Sequence, residues 1–179
     1  FIRNFFSTIQ LVMAGNDTQG LRYGMIETPE KYYLEWKEEL NHVEGHKLDY
    51  HLGRMCNKQR FLQIIHDFIV FDAGVKKTCR HNQFFGIEAA KQRIAKREGG
   101  IIWHTQGSGK SLTMVWLAKW IRENVSDSRV LIVTDRTELD EQIEKVFTGV
   151  EEEIYRTKSG ADLVATLNQP TPWLMCSLV

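Results

Sequence analysis

Short apolar runs alternate with amphipathic stretches in the second half of the chain. Buried strands are predicted at the apolar runs of residues 101–104, 130–134 and 174–179. Helices are predicted where apolar side chains recur at helical spacing, over residues 87–97, 111–123, 139–147 and 161–167. Strands that alternate with helices in this way are typical of a parallel sheet covered by helices. The pattern therefore predicts an α/β fold for this half.

The first half has a weaker pattern, which indicates an α+β segment. Residues 1–13 fit either a strand or a buried helix, and periodicity does not decide between the two. The other predictions are a turn at Gly15-Asn16-Asp17, short helical stretches around residues 32–40, and a helix over residues 61–70 that Asp72-Ala73-Gly74 closes.

Charge and composition narrow the range of functions only slightly. The 179 residues include 23 basic and 23 acidic side chains, so any contact with nucleic acid must come from local patches. Cys56, Cys79 and Cys176 form no C-x-x-C pair, which argues against a disulfide framework or a zinc site. No apolar run approaches the roughly 20 residues that a membrane helix needs. We therefore expect a protein of the reducing cytoplasm.

The strongest chemical signal is a glycine-rich sequence between a predicted strand and a predicted helix. It reads Gly107-Ser108-Gly109-Lys110-Ser111. The two glycines allow consecutive backbone N–H groups to surround a phosphate at the positive end of the helix. Lys110 is then placed to neutralise the β- and γ-phosphates, and the Ser111 hydroxyl to bind Mg²⁺. The sequence predicts a P-loop that binds ATP with Mg²⁺.

One position departs from the usual P-loop pattern. The pattern G-x-x-x-x-G-K-[ST] has glycine where this chain has His104. The alternative interpretation is an ordinary turn from strand to helix. A buried strand before the loop and an apolar helix after it favour nucleotide binding.

Three separated segments resemble one family of DNA motors. Residues 100–113, with Trp103-His104-Thr105 ahead of the glycines, resemble motif I of the restriction (R) subunit of type I restriction-modification enzymes, whose motor is of the superfamily 2 helicase kind. Residues 130–142 resemble motif Ia of that subunit. Arg80-His81-Asn82-Gln83 resembles the Arg-x-x-Gln element that reads adenine in these motors.

The resemblance implies a domain organisation, an activity and partners. Residues 73–179 are expected to be the N-terminal half of a first RecA-like domain, with an incomplete parallel sheet, and residues 1–72 the end of a nuclease region with a linker. The intact protein is expected to be the R subunit of a type I site-specific deoxyribonuclease, which hydrolyses ATP, translocates double-stranded DNA and cleaves it. It is expected to work with modification and specificity subunits, which leaves its DNA recognition sequence to another chain.

The resemblance also implies the nucleotide contacts. They are expected at Arg80, Gln83, Gln106, Gly107, Ser108, Gly109, Lys110, Ser111 and Leu112. Lys110 and Ser111 are the expected catalytic residues, with Ser111 as the Mg²⁺ ligand. Gln83 suits adenine because a carboxamide can accept a hydrogen bond from N6 and donate one to N7. The alternative is a surface glutamine at a helix start.

Arg136 is the candidate DNA contact. It follows the end of a predicted parallel strand, where doubly wound folds bind ligands, and the resemblance implies contact with a DNA phosphate. The alternative is a helix start in which Thr137 and Asp140 form a loose capping box.

Two acidic patterns are interpreted as coincidental. Asp140-Glu141 resembles the Walker B pair that binds Mg²⁺ in such motors, but it falls in a predicted helix and not at the end of a strand. Glu35-Trp36-Lys37, with Asp17 upstream, matches the E-x-K of metal-dependent nucleases, but no apolar strand leads into it.

A group of histidines is the remaining metal candidate. His42, His46 and His51 have the spacing of helical metal ligands. Gly45 interrupts a helix there and the neighbours are polar, so a solvated loop is favoured.

Two rival functions stay open. One is a superfamily 2 DNA translocase without nuclease activity, and the other is a non-hydrolysing nucleotide-binding module. Both ends of the chain interrupt apolar runs, so we expect a piece of a longer polypeptide, with nuclease residues before Phe1 and Walker B residues after Val179. Such a piece is expected to hydrolyse ATP poorly on its own.

Overall fold

The computed structural model describes residues 8–38 and 45–179, apart from the side chain of Asp140. The described chain is a mixed α/β structure with small sheets, and it divides into two compact units. The first unit comprises the described residues up to Val70 and Val75–Ile102, and the second comprises Phe71–Gly74 and Trp103–Val179. The domain boundary expected after residue 72 stays a prediction.

A three-stranded antiparallel sheet opens the first unit. Its strands are β1 (Val12–Asn16), β2 (Gly20–Gly24) and β3 (Leu34–Glu35), in the order β1-β2-β3. Asn16 closes the first turn, because its side-chain oxygen accepts hydrogen bonds from the amides of Thr18 and Gln19 at 3.1 and 2.7 Å. The predicted turn is confirmed, with its centre two residues further along. Within residues 1–13 the strand alternative holds from Val12, whereas residues 1–7 lie outside the described part.

The helices of this unit differ from those predicted. Around residue 32 the chain forms a short 3-10 turn (Glu30–Tyr32) and then β3, so the helix predicted at residues 32–40 is wrong for the described residues. Helices α1 (Lys47–Met55) and α2 (Lys58–Asp67) follow. The prediction of a helix over residues 61–70 is too long, because Ile69–Asp72 forms strand β4, which pairs with β5 (Val75–Thr78).

Trp36 lies at the centre of the core of the first unit. Its side chain is fully buried, and its ring packs against those of Tyr23, Phe84 and Phe85 with centroid separations of 5.9, 5.7 and 5.8 Å. Its indole N–H donates to Glu38 at 3.0 Å. Aromatic rings at such separations attract each other beyond the effect of burial. Because Phe84 and Phe85 belong to the first turns of helix α3 (His81–Ala95), this cluster fixes the start of that helix.

A buried hydrogen bond joins the sheet to the residues before α3. The Tyr23 hydroxyl donates to the carbonyl oxygen of Cys79 at 2.7 Å. Burial raises the pKa of the Tyr23 phenol and that of the Cys79 thiol. Both groups therefore stay protonated at neutral pH, and the phenol remains a donor.

A three-stranded parallel sheet forms the base of the second unit. Its strands are β6 (Val130–Thr134), β7 (Tyr155–Arg156) and β8 (Leu174–Leu178), in the order β6-β8-β7. Its helices are α4 (Lys110–Asn124), α5 (Thr137–Gly149) and α6 (Gly160–Leu167). The central strand is the most enclosed of the three, with Leu174, Met175 and Cys176 fully buried.

Most elements predicted for this unit are confirmed. Strand β6 has the predicted bounds, and each of the three helices begins within two residues of its predicted start. On α4 the side chains of Val115, Trp116 and Ala118 are buried as predicted, whereas Leu112 is half-buried. The two-residue strand β7 was too short to leave a periodic signal.

Two predictions of buried strands are wrong. Residues 101–104 form no strand, and Ile101 and Trp103 are 88% and 89% exposed. A strand needs a hydrogen-bonded neighbour, and no strand of the described residues pairs with this segment. Strand β6 exists but exposes Leu131 and Val133, which alternate with the half-buried Val130 and Ile132 and therefore lie together on one face of the sheet.

The described residues hold no membrane-crossing candidate, since none of their helices combines the necessary length with an apolar composition. Cys56, Cys79 and Cys176 are free thiols, and the last two are buried.

We predict that Trp36→Ala destabilises the first unit by about 3–5 kcal/mol, because the substitution leaves a cavity between β2 and α3. Urea unfolding followed by near-ultraviolet circular dichroism measures the change. Tyr32→Ala is the control, since Tyr32 is 60% exposed and its loss should cost less than about 0.5 kcal/mol. Equal effects of the two substitutions would show that the aromatic cluster does not hold this unit together.

Candidate nucleotide-binding loop

A tight turn precedes helix α4. The amide and the hydroxyl of Ser108 both donate to the carbonyl oxygen of Thr105, at 3.4 and 2.7 Å. Gly107, the third residue of this turn, has a φ of 75°. Left-handed φ at that position is typical of a type II turn and favours glycine. The sequence and the hydrogen bonds therefore agree on the conformation of the loop.

Gly109 turns the chain from the loop into the helix. It has a φ of 83° and a ψ of 34°, and it is the N-cap of α4 without any side-chain capping bond. The first turn of α4 contains no acidic residue. An uncapped helix N-terminus presents backbone N–H groups and a partial positive charge. This end of α4 is thus suited to an anion.

Lys110 lies over the loop. Its ammonium group donates to the carbonyl oxygens of His104 and Thr105, at 3.3 and 3.0 Å. The side chain is exposed, and both acceptors are uncharged backbone groups. A cation held in this way can exchange its carbonyl partners for the oxygens of an incoming anion.

Ser111 and Leu112 follow in the first turn of α4, and both are half-buried. The Ser111 hydroxyl has a neighbour that sequence reasoning did not assign. The side-chain amide of Gln142, on α5, lies 3.5 Å from Ser111 Oγ. Gln142 was part of the segment that resembles motif Ia, but nothing in its spacing connected it to the loop.

Two further residues flank the loop. Gln106 is exposed within the turn, with its side chain open to solvent. His104 is half-buried, and its Nδ1 is enclosed without a hydrogen-bond partner among the described residues. Unsatisfied polar atoms are uncommon in folded proteins and are more frequent at functional sites.

Arg80 and Gln83 belong to the first unit, at the start of α3. Gln83 is only 2% exposed, and its Oε1 accepts a hydrogen bond from the backbone amide of Arg80 at 2.8 Å. The alternative of a surface glutamine is therefore wrong, although Gln83 does lie at a helix start. Its side chain satisfies an amide at the helix terminus, which explains why α3 begins six residues before the predicted start.

Arg136 is exposed and is the N-cap of α5, directly after β6. The alternative of a helix start here is confirmed, and its N-cap, Arg136, makes no side-chain capping bond. Whether the side chain of Asp140 takes part in a capping box stays a prediction. The helix begins one residue too early for Thr137 to be its N-cap. Asp140 and Glu141 lie inside α5, as predicted, and the side chain of Asp140 lies outside the described part.

The acidic side chains of the nuclease-like pattern form ion pairs with neighbouring basic side chains. Glu35 forms ion pairs with Lys37 and Lys47, at 3.5 and 3.9 Å. Asp17 pairs with His46 at 3.1 Å, on an exposed surface.

The solvated loop predicted around the histidines holds for His46, which is exposed just before α1, but is wrong for His51. His51 lies in α1 and is 2% exposed, and His46 is the N-cap of that helix, whereas His42 lies outside the described part. Among the described residues, no three side chains of histidine, cysteine, aspartate or glutamate come together as metal ligands.

A glycine-rich loop at the N-terminus of a helix, beside a parallel sheet, is the arrangement of nucleotide-binding α/β proteins. Residues 82–179, more than half of the chain, match the family model of the SWI2/SNF2 ATPase. The chain therefore belongs to the SWI2/SNF2 ATPase family. The matched region includes Gln83, the loop and all of the parallel sheet.

Several curated relatives are endonuclease subunits of type I restriction enzymes. The chain is 28% identical over 156 residues to the HindI endonuclease subunit of Haemophilus influenzae, covering 76% of this chain and 15% of the relative. It is 34% identical over 128 residues to a Methanocaldococcus jannaschii protein provisionally named the MjaIXP endonuclease subunit, covering 65% and 12%. It is 25% identical over 174 residues to the SsaAORF53P endonuclease subunit of Staphylococcus saprophyticus, covering 90% and 18%.

These comparisons confirm the resemblance to type I restriction endonuclease subunits and to superfamily 2 motors. The chain spans less than a fifth of the length of each of these relatives.

We predict that Gly109→Ala lowers the affinity for ATP by about tenfold, because an alanine in left-handed conformation costs about 1–2 kcal/mol. Fluorescence titration with a labelled nucleotide measures the affinity. Gly99→Ala is the matched control, since Gly99 has open space around it and no left-handed φ. An unchanged affinity in Gly109→Ala would show that nucleotide binding does not require this loop conformation.

Proposed function

We propose that the chain is part of the R subunit of a type I restriction enzyme and carries its ATP-binding loop. The intact protein hydrolyses ATP to translocate double-stranded DNA, cleaves the DNA, and works with modification and specificity subunits in the cytoplasm. Residues 73–179 supply the first half of a RecA-like motor domain, whose parallel sheet is incomplete here. Residues 1–72 supply the end of the nuclease region and the linker.

The observation that carries this proposal is the extent of the similarity. The SWI2/SNF2 match begins at residue 82, whereas the S. saprophyticus relative aligns with 90% of the chain. The likeness to restriction endonuclease subunits therefore reaches well upstream of the ATPase region. A motor region shared with other translocases does not account for that upstream part.

The loop fits a nucleotide with its magnesium ion. A Cβ atom added to Gly107 would meet nothing within 4 Å, so a phosphate can approach the backbone closely. The first turn of α4, whose N-cap makes no side-chain capping bond, adds backbone N–H groups that a ligand can satisfy. ATP with Mg²⁺ supplies the phosphoanhydride bond whose hydrolysis drives movement.

Each residue of the loop has a role in this proposal. Lys110 exchanges the carbonyl oxygens of His104 and Thr105 for phosphate oxygens and neutralises their charge. The backbone N–H groups of Lys110, Ser111 and Leu112, in the first turn of α4, donate to the phosphates. Gly107, Ser108 and Gly109 border the phosphates, and Gln106 lies within the turn. Ser111 holds Mg²⁺ through its hydroxyl oxygen.

Two residues outside the loop complete the proposal. Gln83 reads adenine while it caps α3. Its Oε1 has two lone pairs, and because the Arg80 amide occupies one of them, the other remains available to the base. Arg80 supports that turn. Arg136, exposed at the start of α5, contacts a phosphate of the DNA backbone.

The second candidate is a SWI2/SNF2 translocase without nuclease activity. The family match to residues 82–179 favours it, because that match describes an ATPase and nothing more. DNA cleavage by the full-length protein with its partner subunits separates the two candidates. ATP-dependent translocation without cleavage would favour the second.

We predict that Lys110→Ala abolishes ATP-dependent translocation and leaves the fold in place, because the Lys110 side chain is exposed and donates to the carbonyl oxygens of His104 and Thr105 in the loop. Translocation on long duplex DNA and ATP turnover by the full-length protein are the measurements. Lys119→Ala is the control, since Lys119 lies on the same helix and its ion pair with Glu152 is long, at 3.8 Å. Normal ATP turnover by a folded Lys110→Ala protein would refute the assignment of the loop.

We predict that Gln83→Ala weakens binding of ATP more than binding of GTP, since the loss of hydrogen bonds to adenine costs about 1–3 kcal/mol. The ratio of the two affinities, measured by competition, is the informative quantity. A purely structural loss at the start of α3 lowers both affinities alike. An unchanged ratio would therefore exclude base reading by Gln83.

A further inference from the structure

The contact between Gln142 and Ser111 is not used by the roles assigned so far. Gln142 Nε2 lies 3.5 Å from Ser111 Oγ, which is at the long end of the range for hydrogen bonds. The contact contributes little to stability for that reason. The contact matters for function because it involves the Ser111 hydroxyl, which binds Mg²⁺ in the proposed function.

Helix α5 holds Gln142 in a defined place. Its next residue, Ile143, is 4% exposed, and Phe147 one turn later is 1% exposed. At the end of the helix, the carbonyl oxygen of Gly149 accepts a hydrogen bond from the amide of Ala73 at 2.9 Å. The backbone of Gln142 is thus anchored, while its side chain is exposed and can turn about its own bonds.

A serine hydroxyl that binds a cation needs an acceptor for its proton. The hydroxyl has one proton and two lone pairs, and a metal ion takes a lone pair. The carboxamide of Gln142 can present either its N–H₂ group or its carbonyl oxygen to Ser111, because the two ends have nearly the same shape. An N–H₂ group that donates to Oγ takes a lone pair away from the ion. A carbonyl oxygen that accepts the hydroxyl proton leaves both lone pairs available.

We propose that Gln142 is a positioning residue for Ser111: its carboxamide oxygen accepts the Ser111 hydroxyl proton and so directs an Oγ lone pair to the nucleotide-bound Mg²⁺. This inference rests on the proposed function of the loop. It adds a residue of α5 to the machinery that holds the ion. Gln142 itself touches neither the ion nor the nucleotide.

Titrating Mg²⁺ into the full-length protein with fluorescent ADP tests this role without any turnover. In Gln142→Leu, the Mg²⁺ concentration that gives half-maximal binding of the nucleotide should rise by about tenfold. This is the smallest effect expected when a group that orients a metal ligand is lost. Affinity for the same nucleotide in EDTA should not change. Lys145→Leu is the matched control, because Lys145 is an exposed residue of the same helix.

A second variant identifies the atom that acts. Gln142→Glu keeps the carbonyl-type acceptor and loses the donor, so it should need no more Mg²⁺ than the unaltered protein. A requirement as high as that of Gln142→Leu would overturn the acceptor role, and equal behaviour of Gln142→Leu and Lys145→Leu would overturn any role. If the unaltered protein binds no nucleotide with or without Mg²⁺, the proposed function itself fails, and this inference with it.

Discussion

The left-handed backbone of Gly107 and Gly109 is the constraint on which the candidate site depends. With φ angles of 75° and 83°, these residues bend the chain so that the loop closes on Thr105 and α4 starts without a side-chain cap. Side chains larger than hydrogen are disfavoured at such angles. The positions of Lys110 and Ser111 follow from this bend, because both lie in the helical turn that it starts.

The first unit has a comparable fixed point at Trp36. Its ring packs against Phe84 and Phe85, the two residues that follow Gln83 in α3. The proposed adenine contact is therefore positioned by an aromatic core that includes no residue of the parallel sheet. A nuclease-like sequence pattern drew attention to Trp36, whereas the structure gives it a role in packing.

The sequence predicted elements well where local signals and tertiary contacts agree. The glycine turn before helix α4 and the apolar face of the helix are both visible in one short stretch of sequence. The bounds of this helix were therefore predicted to within one residue at each end. Residues 101–104 are equally apolar, but a strand depends on a partner that no local pattern reveals. The start of α3 was missed because its cap is the buried Gln83, in a stretch whose first residues are polar.

The conformation of the loop was predictable from its residue types, since glycine, lysine and serine at this spacing between a predicted strand and a predicted helix are typical of a phosphate-binding loop. The contact between Gln142 and Ser111 was not, because it joins two helices 31 positions apart in sequence. Such a contact depends on how α4 and α5 pack, and packing angles are not encoded in either helix alone.

The order β6-β8-β7 has a consequence for the synthesis of the protein. The central strand is the last of the three to leave the ribosome, and both of its neighbours bond only to it within this sheet. Until Leu174–Leu178 has emerged, β6 therefore lacks the strand with which it pairs in this sheet. During that interval the nascent chain exposes an apolar strand to any neighbouring polypeptide, which is the condition under which chaperones bind.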